Sequence, residues 1–580
     1  MGRRFDPDRA HFYPLNFQLV DYNPTMNQDL ILKRITWTIL LSGPFVSLAV
    51  SPSTSYDPIN LIKLLFLSTC AFFILGLFLS KINILKKRLP KTFWAICIFF
   101  ILSLLSTLVF SGAPFTQQIW GSFGRNTGFL TYVSLLFILI GAALIQQVDS
   151  YKFVINSLVL TAIPVSIYCL VQIGGMDPIG WSAKDTFATF GNTNFLSAFL
   201  GIASLACLIL AFDKEKKSGT RLGLCSLALL DSFIILDTGS IQGFMILVAG
   251  IGVAGYFYLR SFNNLAWIKF PYIAISFFGF ILTCLGVANK GPLATFIFQP
   301  SILFRADYMH AGWVMTLKKP FFGVGLDSYG DWYREVRGSI STLRTGPDRT
   351  ANTAHNIFLD LSSNGGIPLI SAYLALVGFA FFYSFKLIKS NKLFDPYFVA
   401  IFACWFAYQI QALVSINQIG VGIWGWILNG SLIGFSIAKL SNSENSQSKI
   451  RVNKKVLSPS SGLIVFATTA IGFILAFIPF NADSKYKTAS QSRDLIKMMQ
   501  SADSLGATSW HVSQVLNVAV NNNFGAQAKT LDNKMISIYP RDIYGWKILY
   551  YLTTSTPDEK VIAANKLSEL DPFNPDNPKS

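Results

Sequence analysis

Residues 304–337 read FRADYMHAGWVMTLKKPFFGVGLDSYGDWYREVR, and residues 353–366 read TAHNIFLDLSSNGG. Together they make the longest polar interruption in an otherwise apolar chain, and they hold His310 and His355, two of its four histidines. The surrounding composition fixes the class. Of 580 residues, 52% are hydrophobic and 13% charged, whereas a soluble domain carries about 25% charged residues. Outward from the polar stretch, apolar runs lie near 35–50, 60–80, 92–111, 128–146, 153–173, 194–212, 222–237, 241–259 and 269–287 on one side, and near 367–387, 397–416, 420–438 and 461–480 on the other. Each approaches the roughly 20 residues that cross a bilayer as a helix. The expected fold is all-α, a polytopic membrane bundle of about 12–13 transmembrane helices with a large outer helical loop.

The net charge of +17 sits in short clusters between apolar runs. That is the pattern of basic cytoplasmic connections, not of a basic groove, so nucleic acid is excluded as a partner and membrane lipid is expected. Lys33-Arg34, 81–91 (KINILKKRLPK), 214–221 (KEKKSGTR), Arg260, 386–392 and 449–455 fall on one side by alternation. The connections SPSTSYDP, SGAPFTQQIWGSFGR, GGMDPIGWSAKDTFATFGN and NQIGVG fall on the other, with the 288–366 loop and everything after Phe480. The expected divisions are a cytoplasmic tail at 1–30, a transmembrane domain at 31–440, a basic linker and last span at 441–480, and an outer helical domain at 481–580. In that last part a stretch with small residues that ends in a helix-stopping proline recurs, as Ala526-Ala528 to Tyr539-Pro540 and Ala563-Ala564 to Asp571-Pro572, with the two prolines 32 residues apart. This resembles the second helix of a tetratricopeptide repeat, which implies a protein partner bound through the repeats; a plain helical cap is the alternative. All seven cysteines lie in apolar segments, where they read as small core residues.

Candidate chemistry gathers on the outer side. His355 precedes the amphipathic start of a helix; a loop histidine satisfied by backbone is the plain reading, and a general base is the functional one. Nearby arginines favour the neutral imidazole that a base requires. Asn356 is a candidate to orient the ring or a substrate hydroxyl. Arg305 shares a helix face with Met309 and Trp313, which suits an interfacial helix, but a guanidinium there also matches phosphate oxygens in a two-pronged fashion. Arg125 stands in the glycine-rich turn Gly121–Gly128. Asn192 and Asn194 open another helix with Lys184 upstream; these two connections also read as turn and capping chemistry. Arg334 and Arg337 are further substrate-binding candidates. Asp327, Asp331 and Glu335 at four-residue spacing read as a solvated face paired with those two arginines rather than as metal ligands, so no metal or other cofactor is expected.

The ordered set of Gly124–Gly128, Phe190-Gly191-Asn192-Thr193-Asn194, Thr238-Gly239-Ser240, Arg305 with Trp313, Pro320–Gly325, and Ala354-His355-Asn356 before Gly365-Gly366 resembles the O-antigen ligase and O-antigen polymerase family of membrane glycosyltransferases. The resemblance covers most of residues 30–440. It implies transfer of a glycan from an undecaprenyl-diphosphate carrier to a glycan, lipid or protein acceptor outside the inner membrane. It also implies metal-independent catalysis with a loop histidine and essential arginines. Where the family often carries Ser-Arg before the eighth helix, this chain has Ser240-Ile241-Gln242-Gly243, so one diphosphate-binding arginine is absent or is replaced, with Arg125, Lys184 or a loop arginine as candidates for the replacement. A lipid-glycan flippase is the alternative class; ion-coupled transport needs ionisable groups inside the membrane, and the runs contain little beyond Lys63 and Asp231.

Overall fold

A computed structural model describes residues 30–181, 185–262, 266–390, 394–444 and 459–578. Every regular element among them is helical. All thirteen apolar runs form helices, and ten are long and apolar enough to cross a membrane. Leu30–Leu48, Phe129–Leu144 and Pro396–Ala412 complete the set as helices of 19, 16 and 17 residues. The protein is a polytopic membrane helix bundle.

Local chemistry sets the ends of these helices. Asp395 caps Pro396–Ala412 by accepting from the amides of Tyr397 and Phe398, and proline at the first helical position loses no bond there. One buried apolar cluster runs through the bundle. Lys63 and Asp231, which lie within the spans, are tied up inside it. Lys63 Nζ donates to the carbonyls of Val46 (2.9 Å) and Ser47 (2.6 Å), and the Asp231 carboxylate accepts from Ser166 (2.5 Å) and Ser204 (3.4 Å).

The described connections separate to the two ends as alternation demands; the tail up to residue 29 and the basic run 449–455 lie outside the described residues. At one end Lys216 meets Tyr397 and Lys439 pairs with Asp395. At the other, the connections after Leu48, Phe110, Ile173, Val287 and Ala412 touch one another and the C-terminal helices. This loop end carries two further apolar cores. One lies within the polar loop around Ala311, Met315, Tyr329 and Tyr333; the other lies in the C-terminal part around Val512, Val515, Leu516 and Met535. The helix Pro459–Ser492 runs unbroken across position 480. It leads into Leu495–Ala502 and then two helical hairpins, Ser509–Asn521 with Gly525–Ile538 and Ile543–Tyr551 with Pro557–Leu570.

The loop is seamed to the bundle by main chain. Helix Ile357–Ser390 is interrupted at Gly366, whose φ of 75° is natural only to glycine. Around this break the amide of Ile367 donates to Pro320 O (2.7 Å), Val324 to Ser363 O (2.8 Å) and Gly325 to Asn364 O (3.0 Å). The 320–325 segment thus satisfies polar backbone that the interrupted helix leaves open.

Candidate active site

Three polar side chains from distant parts of the sequence converge at the loop end. Helix Pro300–Lys318 begins with proline and carries Arg305 and Tyr308 one turn apart. The Tyr308 ring stacks on the His355 imidazole, 5.3 Å between centroids at 30°. His355 holds a left-handed backbone (φ 52°), which histidine tolerates better than most residues, and its amide donates to Thr353 Oγ1 (3.1 Å). Burial, then the positive charges of Arg125 and Arg305, push the imidazole down to about 3. It is therefore neutral at physiological pH, and among the described residues no hydrogen bond engages either ring nitrogen.

Arg125 arrives on the Gly121–Gly128 turn, and an acid that the sequence reading had assigned elsewhere fixes that turn. Asp327 Oδ2 accepts from the amides of Ser122 (2.7 Å) and Thr127 (3.2 Å). A Cβ at Gly121 would stand 2.5 Å from that oxygen, so only glycine lets the carboxylate in. Asn60 Nδ2 adds a bond to Gly124 O (2.8 Å). Burial lowers the basicity of Arg125 and Arg305, and Asp327 and Asp360 partly offset this for Arg125; both guanidiniums stay charged. Among the described residues no hydrogen bond or ion pair holds either guanidinium. Arg125 lines two cavities. One is shared with Asp327, Thr353 and Asp360; the other, of about 120 Å³, is shared with Asn60, Phe190 and Gln418. Asn417 lines both.

The remaining candidates behave differently. Asn356 is a helix cap: its Oδ1 accepts from the amides of Phe358 and Leu359, and its Nδ2 donates to Leu413 O. Asn192 likewise caps Thr193–Ala211 through the amide of Asn194. Asn194 accepts from Ser240 Oγ (2.8 Å), strutting its helix against the Thr238–Ser240 turn. Lys184 lies outside the described residues. Arg334 and Arg337 require correction. Asp571 receives Arg334 at 3.0 Å and Arg337 through both oxygens at 2.8 and 2.9 Å, while loop carbonyls of residues 347–349 accept further N–H groups of both arginines. Arg337 is 1% exposed and has no surface left for a substrate. The acidic row needs the same correction. Rather than facing solvent beside these arginines, Asp331 accepts from Gln117 Nε2 (2.8 Å) and burial raises it to about 7. Glu335 pairs with Lys318 and Arg541. The partners lie more than 200 residues away in several cases, and no local spacing signals them. Gln242, next to the position where the family carries arginine, is buried with neither amide atom bonded among the described residues. Among the described residues, no three His, Cys, Asp or Glu groups converge in a metal-binding arrangement.

A neutral imidazole between two free guanidiniums can accept a proton from a hydroxyl while negative charge gathers on a phosphate-bearing leaving group. A family model described as O-antigen ligase matches residues 224–374, a stretch that contains Arg305 and His355 but not Arg125. A comparison with curated protein sequences returned no match. The family match supports a membrane glycosyltransferase of ligase or polymerase type.

Proposed function

We propose that this chain transfers a glycan from undecaprenyl diphosphate to an acceptor hydroxyl, at the outer face of the bacterial inner membrane. The observation that carries the reading is the meeting of Arg125, Arg305 and His355 with their functional ends unengaged. The two guanidiniums hold the diphosphate. His355 takes the proton of the acceptor hydroxyl as its oxygen bonds to the anomeric carbon. The bond from that carbon to the carrier's phosphate oxygen breaks, and its electron pair leaves on the diphosphate, which the arginines stabilise. One displacement inverts the anomeric centre, and no divalent metal takes part.

The basic connections, gathered at the end opposite the site, support placing the loop and the C-terminal helices outside. On this reading residues 31–440 are the transferase domain, 441–480 a linker and last span, and 481–580 an outer domain of tetratricopeptide-like hairpins able to meet a protein partner. The bonds that enclose Lys63 and Asp231 argue against the flippase alternative, because both groups are engaged as structural members.

The test uses purified protein in liposomes with an undecaprenyl-diphosphate oligosaccharide and a panel of hydroxyl acceptors. His355→Ala should lower turnover per folded molecule by about 10²–10⁴ while donor binding persists. Arg305→Lys keeps charge but loses the fork, and should weaken donor binding and turnover together. Near-normal turnover in folded His355→Ala would remove the base, and unchanged donor binding in Arg305→Lys would remove the clamp.

A further inference from the structure

The turn that carries Arg125 is gripped from a direction the transferase reading does not require. Phe123, two residues before Arg125, lies flat on the indole of Trp510, 3.8 Å between centroids at 4°. Trp510 belongs to the first turn of helix Ser509–Asn521 in the C-terminal domain. Its ring also meets Tyr56 at 5.0 Å and Tyr486 at 5.6 Å, so it is wedged among aromatics from three other segments.

The residues beside it are anchored as firmly. The amide of Thr508 donates to His511 Nδ1 (3.1 Å), which leaves Nε2 as the protonated nitrogen of a neutral ring, aimed at Asp483 Oδ1 (3.0 Å). The other oxygen of Asp483 accepts from the amides of Tyr56 and Asp57. Asp57 in turn lines the 120 Å³ cavity that Arg125 shares. The His511 ring meets Phe123 edge-on at 5.5 Å. The C-terminal domain therefore braces both the Arg125 turn and one wall of the cavity beside it.

Among the described residues, the side-chain hydrogen bonds that reach this turn from distant parts of the chain come from Asp327 and Asn60, and they end on main chain at Ser122, Thr127 and Gly124. Gly124 has open space around it and a left-handed φ of 76°, so it offers little resistance to rotation between Phe123 and Arg125. The aromatic stack adds a side-chain contact to these main-chain bonds, at the residue two before the arginine.

We infer that Trp510 is a positioning residue for Arg125, so that the C-terminal domain completes the diphosphate site instead of serving only as a surface for partners. The inference rests on the proposed transferase reading, in which Arg125 meets the donor diphosphate. It departs from the expectation that the residues after 480 serve only to meet a protein partner.

The experiment measures binding of undecaprenyl diphosphate to the full chain in nanodiscs. An aromatic pair of this kind corresponds to about a 3- to 10-fold change in an equilibrium. Trp510→Ala and Phe123→Ala should each weaken binding by about that factor, and Trp510→Phe, which keeps a flat ring, should restore most of it. Added to Arg125→Gln, Trp510→Ala should weaken binding no further, because it acts through the residue already removed. A folded Trp510→Ala that binds like the parent, or that adds its full effect on top of Arg125→Gln, overturns the inference. If Arg125→Gln itself binds normally, the diphosphate reading of the site fails instead. If Trp510→Ala does not fold, Phe123→Ala and Trp510→Phe decide the matter by the same criteria.

Discussion

Acidification distinguishes His355 from an ordinary surface histidine by a large factor. An imidazole with the usual value near 6.5 would be about 97% protonated at pH 5, and a base with that value would lose rate roughly 30-fold against its plateau. Burial and the charges of Arg125 and Arg305 hold His355 near 3, so at pH 5 only about 1% is protonated and the rate should be unchanged. The quantity to follow is kcat/KM for the donor between pH 4.5 and 8, since it reports the free enzyme. Folding must be monitored in the same samples. The unfolded chain takes up this proton near 6.5 and the folded chain only near 3, so this group's contribution to stability is complete above 6.5 and is lost as pH falls below that value. Per folded molecule, the profile should be flat on its acid side. Arg305→Gln removes one of the two positive charges, so it should raise the imidazole's value and bring an acid limb toward the measured range. A parent enzyme with a limb centred near 6.5 that disappears in His355→Gln would refute the electrostatic account of the base.

Three further outcomes follow from contacts elsewhere. Arg337→Met leaves the buried Asp571 carboxylate with Arg334 as its remaining cation and should cost at most about 3–5 kcal/mol; Arg337→Met with Asp571→Leu should recover part of it, as read by urea titration of C-terminal protection from protease. Asp327→Asn weakens two charge-assisted bonds that hold the Arg125 turn, each about 1.5–3 kcal/mol, and should lower donor affinity about 10-fold or more with acceptor KM unchanged; equal affinity would detach that turn from the donor. Turnover should persist in chelator, and a loss reversed by magnesium or manganese would recast the acidic row as ligands.

The membrane helices were legible because the bilayer imposes a length and polarity that a window of sequence records directly, and the charge alternation fixed which connections share an end. Arg125, Arg305 and His355 were legible as polar groups in unusual settings, though nothing local said that they meet. Asn192 carries its signal in the plain capping reading; Asn356 also stands one residue before a helix and caps it, although it reads in the sequence only as an orienting group. The misreadings cluster where charge finds its partner far along the chain. Arg334 and Arg337 have Asp331 and Glu335 close by in sequence and form their ion pairs with Asp571 instead. Asp327 was placed on a charged face and proved to hold two main-chain amides. Trp510 gave no local sign of its role, because stacking on Phe123 is a property of two surfaces meeting and not of either sequence.

The seam at Gly366 bears on how such proteins can be recombined. A polar loop between two membrane helices looks like a module that could be grafted from one relative into another at its two ends. Here, residues 320–325 share backbone bonds with 363–367, so a graft ending at residue 356 would separate donors from their acceptors inside a buried joint. A Cβ at Gly366 would also lie 2.6 Å from the Phe321 carbonyl group. The smallest exchangeable piece therefore runs from the loop through the break and into the following span. Any chimera that exchanges the loop must carry its own broken helix with it.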